Sequence, residues 1–306
     1  MIYFSHDDGL AHETPRGHPE QVARLEAIRG ALAGMELDRR AAPLAEDADI
    51  LRCHPQSHLD HVTASAPTEG WRSLDPDTHM SPGTLAAARR AVGGCVAAVD
   101  AVLGGAARSA FVGCRPPGHH AERAQAMGFC FFGNVAIAAR RALDHHGLGR
   151  VAVVDFDVHH GNGTQNLLWD DGRALFVSSH QMPLYPGSGH GHERGAHDNV
   201  LNLPLVEGTG GDEMRRIYED AVFPALLAFQ PELILISAGF DAHRADPLAG
   251  LMWETEDFAW LTGRLCDVAE VACGGRIVST LEGGYDLQAL GASVAAHVKV
   301  LKERDA

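Results

Sequence analysis

The chain has no run of 18 apolar residues, so no segment is expected to span a membrane. It also has no C-x-x-C pair. Its six cysteines (Cys53, Cys95, Cys114, Cys130, Cys266 and Cys273) are scattered, which argues against a zinc knuckle and against a disulfide framework. No Ser- or Pro-rich linker, long charge block or fixed-period repeat marks a boundary, and a single domain over residues 1–306 is expected. Basic residues are in short supply, with 25 Lys+Arg against 40 Asp+Glu. The resulting net charge of −15 repels phosphate backbones and anionic lipid heads, so neither nucleic acid nor a membrane surface is an expected partner. The amino terminus, MIYFSHDDG, lacks the positive n-region and the long apolar core of a signal peptide, which makes a cytoplasmic location the expectation. A homo-oligomer stays open.

Hydrophobic residues make up 45% of the chain and charged residues 21%, the balance of a soluble globular protein with a large core. Short apolar or β-branched runs bounded by turn residues lie at 110–114, 151–156, 174–178, 233–237 and 276–281. Between them, Leu85, Ala88, Val92, Val96, Val99 and Leu103 recur at helical spacing, as do Leu287, Leu290, Val294, Val298 and Leu301. This alternation predicts an α/β fold, a mostly parallel central sheet flanked by helices, with ligands bound beyond the carboxyl ends of the strands. The loops at those ends read RPPGHHAE, DVHHGNG, SHQMPLYPGSGHGH, AGFDAHRADP and EGGYD, and each carries histidine, aspartate or tyrosine. Nineteen histidines are many for this length, and much of the surplus falls here.

In VAVVDFDVHHGNG an apolar strand runs into Asp155, Asp157 and His159, which alternate and so share one side of an extended chain. Two carboxylates and an imidazole at the end of a buried strand are costly unless a cation compensates them, which favours a metal site. A second apolar run, LILISAGFDAHRADP, delivers Asp241. Asp157, His159 and Asp241 then supply the three protein ligands of a catalytic site that keeps an open position, suited to zinc and nearly as well to iron or cobalt. His243 and Asp246 fit better as solvated loop residues or caps than as ligands. In RPPGHHAE two prolines and a glycine fix the backbone beside His119 and His120, an adjacent pair suited to acid–base work. Asp155 is free to orient an imidazole, and Tyr285 of EGGYD can donate a hydrogen bond to a developing oxyanion. Gly128 and Phe129 of GFCFFGN, and Tyr185 of the histidine-rich loop, are candidate walls of a substrate channel, with His180, His190 and His192 as loop hydrogen-bonders at its rim.

Taken together, HPEQVARLEAI, LDPDTHMSPGTLAAARRAVGG, RPPGHHA, GFCFFGNVAIAA, DFDVHHGNGTQ, SAGFDAH and EGGYD resemble, in order and over nearly the whole chain, the histone deacetylase and acetylpolyamine amidohydrolase family of the arginase/deacetylase fold. The resemblance implies one Zn²⁺ held by Asp157, His159 and Asp241, with His119 and His120 as acid and base. It implies further that Asp155 orients His119, that Tyr285 polarises the amide, and that Arg24 lies near an internal acetate exit channel. A structural K⁺ ion bound partly by the carbonyl at Ser179 is also implied. Asn162 in place of Asp, and EGGY in place of GGGGY, make the chain look like the class II and bacterial amidohydrolases. Leu248 stands where polyamine-selecting relatives carry Glu. Gly133 and Ser179 depart from the family's usual Asn and Leu, and HPEQVAR lacks a common proline.

The expected activity is hydrolysis of an N-acyl amine, most simply an acetyl-lysine side chain, with release of acetate. Three rivals stand beside it. A binuclear ureohydrolase would need more bridging carboxylates than Asp246 can provide. A non-catalytic acyl-amine sensor would have no need of His119, His120 and Tyr285 together. A hydrolase of acetylpolyamine or of another small amide or ester would be served by the same residues.

Overall fold

The computed structural model describes residues 1–305. Ten strands form: β1 (Ile2–Ser5), β2 (Asp38–Ala41), β3 (Arg72–Asp75), β4 (Thr78–Met80), β5 (Ser109–Val112), β6 (Val151–Asp155), β7 (Ala174–Gln181), β8 (Val200–Leu205), β9 (Leu233–Ala238) and β10 (Ile277–Leu281). Eight of them make one sheet in the order β2-β1-β5-β10-β9-β6-β7-β8, and every neighbouring pair is parallel. β3 and β4 form a separate antiparallel hairpin.

The strands β5, β6, β7, β9 and β10 are buried on both faces, which explains their near-continuous apolar sequences. In β6, Val151 and Val153 enter one core while Ala152 and Val154 enter the other, and in β9 Leu233 and Leu235 oppose Ile234 and Ile236 in the same way. The first core is closed by the helices Thr84–Leu103 and Asn134–Arg140. The second is closed by Ala23–Leu32, Thr255–Cys273 and Leu287–Arg304. Local signals set the helix ends. Asp286 caps Leu287–Arg304 by accepting from Ala289 N, and Thr255–Cys273 starts at a Glu254/Asp257 capping box and stops at Gly274, whose φ is +62°. No helix among the described residues is long and apolar enough to cross a membrane.

The five runs predicted from sequence became β5, β6, β7, β9 and β10, with ends shifted by up to three residues. β1, β2, β3, β4 and β8 were not predicted. β2 is exposed along its whole length and reads DRRA, so it carries no hydrophobic period to find. Four adjacent central strands, β5-β10-β9-β6, end on the loops that hold His119 and His120, Tyr285, Asp241, and Asp155 to His159. Strand order alone therefore gathers residues that lie up to 166 positions apart.

Candidate functional site

Asp157, His159 and Asp241 are buried, and each offers one ligand atom within 4.8 Å of the others. His159 Nδ1 is 3.1 Å from both Asp157 Oδ1 and Asp241 Oδ2. The remaining lone pairs are tied down by backbone: Asp157 Oδ1 accepts from His159 N, Asp157 Oδ2 from Gly283 N and Asp241 Oδ1 from Val158 N. Glycine is required beside them. A Cβ on Gly239 would collide with Asp157 Oδ2, and one on Gly283 would lie 2.6 Å from Asp157 Oδ2 and closer still to Asp241 Oδ2. The cluster calls for positive charge at its centre. Burial works against a protonated His159, yet the carboxylates of Asp157 and Asp241 push its pKa up to about 10. Three converging N and O donors around a point of strongly negative potential fit a divalent metal ion.

Beside this cluster the rings of His119 and His120 lie 4.0 Å apart. His119 Nδ1 donates to Asp155 Oδ2 at 3.0 Å, while Asp155 Oδ1 accepts from Asp157 N. His120 Nδ1 is 2.7 Å from Asn162 Oδ1, and Asn162 Nδ2 donates to Glu122 Oε1, which fixes the amide's orientation. An amide oxygen only accepts, so Nδ1 of His120 carries the hydrogen and Nε2 of the neutral ring is left as a base. The two imidazoles are driven apart. Burial opposes charge on His119, but Asp157 and Asp155 outweigh it and hold the pKa well above the ordinary value. Burial, reinforced by the charge of His119, pushes His120 well below.

A cavity of about 250 Å³ opens onto these groups, lined by Asp77, His120, Gly128, Phe129, His159, Leu184, Tyr185, Leu248 and Tyr285. The predicted Gly128, Phe129, Tyr185 and Leu248 are among them, and Arg24 is not. Phe129 adopts φ +69°, a left-handed conformation rare for a bulky side chain, and the turn is held by Gly128 N donating to Asp77 Oδ1 and Phe129 N to Thr78 Oγ1. The Tyr285 ring meets Phe129 edge to face at 6.0 Å, and its backbone N donates to Asp246 Oδ2 at 2.7 Å. Arg24 lies behind the tyrosine, fully buried, with Cζ 4.9 Å from the ring centroid. Its guanidinium donates to the carbonyls of Glu282 and Gly284 and to Glu20, and Glu20 in turn pairs with Arg115.

Some assignments change. Asp246 is buried and anchors the Tyr285 and Leu248 backbone, so it is neither a solvated loop residue nor a helix cap. His180 is buried in β7 between Ser178 and Gly189, while His190 and His192 stack on each other in an exposed loop, and none of the three lines the cavity. Ser179 uses its hydroxyl to bond Tyr218, and Gly133 leaves room for Leu167. Asp77 and Leu184 were not foreseen as pocket residues, nor Asn162 as the partner of His120. Only the turn residues around Asp77 hinted at the first.

The site belongs to a class of α/β protein that gathers a buried Asp/His/Asp cluster, two histidines and a tyrosine at the carboxyl end of a parallel sheet. Residues 18–301 match the family model described as the histone deacetylase domain, and the chain belongs to the histone deacetylase family. It is 44% identical over 299 residues to uncharacterized protein slr0245 of Synechocystis sp., covering 95% of this chain and 96% of that one. The identity to the histone deacetylase-like amidohydrolase of Pseudomonas aeruginosa is 43% over 275 residues, covering 87% and 71%. The probable deacetylase of Archaeoglobus fulgidus is 36% identical over 292 residues, covering 92% and 80%. The crystal structure of the HDA15 HD domain superposes with a TM-score of 0.93 at 32% identity, covering 99% of this chain and 91% of that one. Two of these relatives carry the names of an amidohydrolase and a probable deacetylase, which are classes of hydrolase.

Proposed function

We propose that residues 1–306 act as one catalytic domain, a zinc-dependent deacylase of N-acyl amines, most simply acetyl-lysine side chains. The observation that carries the proposal is the convergence, on a cavity walled by Phe129, Tyr185, Leu184 and Leu248, of three side chains that could hold a metal ion with the imidazole of His120 and the phenol of Tyr285. An ion held by Asp157, His159 and Asp241 would supply a Lewis acid for the attacking water and for the acyl oxygen.

The chain's own groups do the rest. His120 takes the water proton at Nε2, because Nδ1 is committed to Asn162. The protonated ring then returns that proton to the leaving amine nitrogen. His119, oriented by Asp155, lies next to His120 and sets its electrostatic environment. Tyr285 donates from its hydroxyl to the acyl oxygen as negative charge develops there. The apolar walls accommodate an alkyl stem and exclude water, which strengthens each of these contacts. The test is a turnover panel of acetyl-lysine peptide, acetylpolyamine and longer acyl analogues on enzyme of measured metal content. Acetate release from the peptide is expected, and turnover of none of the panel would overturn the proposal.

A further inference from the structure

We propose that Glu282 is a positioning residue that locks the His119–His120 loop to the segment bearing Tyr285; its kinetic consequence rests on the deacylase function above. Glu282 follows β10 and is fully buried. Its Oε2 accepts from Gly118 N at 2.7 Å and from His119 N at 3.1 Å, and its Oε1 accepts from Ser237 Oγ at 3.2 Å. Burying a carboxylate is costly, and its hydrogen-bond donors here are two backbone amides and a hydroxyl rather than a guanidinium or ammonium. What the cost secures is geometry. Two N–H groups converge on one oxygen, and an apolar residue in this place would orphan both donors inside the protein.

The segment 282–285 is tied to several other parts of the site. Gly283 N donates to Asp157 Oδ2, Tyr285 N to Asp246 Oδ2, and Arg24 donates to the carbonyls on either side of Gly283. The Glu282 side chain adds a part these backbone contacts do not touch, the loop that carries the acid–base pair. That loop has little slack elsewhere, since a Cβ on Gly118 would lie 2.6 Å from Asn134, which itself donates to Pro116 O. Glu282 therefore sets the distance between the His119–His120 pair and Tyr285 without touching substrate.

Two variants separate geometry from charge. E282Q keeps an acceptor oxygen at full reach and discards the charge, whereas E282D keeps the charge and withdraws the oxygen by one methylene. Because displacements of about 1 Å can cost about 10²-fold in rate, E282D is expected to lose about 10- to 100-fold in kcat with KM within about threefold, and E282Q to stay within about fivefold of the parent. Hydrogen exchange reads the anchor directly. The Gly118 and His119 amides should be slow to exchange in the parent and in E282Q, and at least about tenfold faster in E282D. Fast exchange of these amides in the parent, or E282Q as impaired as E282D in both readouts, overturns the proposal. If the parent hydrolyses no acyl amine, the deacylase function fails while the exchange measurement still decides whether Glu282 anchors the loop.

Discussion

Replacing Tyr285 by phenylalanine removes a single oxygen, and the structure separates what that oxygen does from what the ring does. The ring is held by Arg24 on one side, at 4.9 Å, and by Phe129 edge to face at 6.0 Å, while the backbone is pinned by Asp246. Tyr285 lines the cavity, and its hydroxyl takes no hydrogen-bond partner among the described residues. The phenylalanine ring therefore keeps its place, no cavity opens, and the stability change should stay within about 0.5 kcal/mol. Removal of one oxyanion donor costs about 10²- to 10³-fold in kcat, equivalent to about 2.7–4 kcal/mol. KM should move little, because the bond is stronger to the developing oxyanion than to the ground-state carbonyl. Steady-state kinetics on an acetyl-lysine peptide, with thermal melting of the same preparation, checks both halves. Near-full turnover, or a melting temperature that collapses along with activity, would refute the role given to this phenol.

Further outcomes follow from the same geometry. D155N leaves the fold intact but gives His119 Nδ1 a partner that can present N–H, and kcat should fall about 10²- to 10⁴-fold with KM little changed, as steady-state kinetics will show. G283A forces a methyl group against Asp241 and Asp157, so metal content per chain, read by elemental analysis, should drop well below that of the parent. Burial would raise the Glu20 carboxyl, but Arg115 and the hydrogen bonds from His12 and Arg115 hold it well below its ordinary value. The stability it contributes is thus complete above the unfolded-state pKa of about 4.3 and is lost as pH falls through the folded value. E20Q should cost about 3–5 kcal/mol at neutral pH by stranding two buried guanidiniums, and should flatten the acid limb of the melting temperature against pH. An unchanged acid limb would contradict it.

Much of the site was legible because its residues sit where β-strands end. Asp157, His159 and Asp241 each follow an apolar run that buries on both faces, and such runs are the strongest signal a parallel sheet leaves in sequence. His119, His120 and Tyr285 were marked by the glycines and prolines that shape their loops. The partners that hold these groups were harder to see. Asn162, Glu282 and Asp246 act through contacts spanning 42, 164 and 39 positions, and nothing local shows which groups they hold. Edge strands were lost for a related reason. β2 is exposed and charged, so its place in the sheet comes from pairing with β1 rather than from its own pattern. The histidines split along the same line: His180 reads as a loop residue in sequence but belongs to the buried end of β7.

Hydrolysis of an acyl amine should depend on one divalent ion held by Asp157, His159 and Asp241. The direct measurement is acetate release from an acetyl-lysine peptide by protein of known metal content, before chelation, after chelation and after readdition of Zn²⁺. About one ion per chain is expected, with acetate release lost on chelation and restored by zinc, and with D241A unable to recover either. Full acetate release from metal-free protein, or two ions per chain in the active form, would contradict the account.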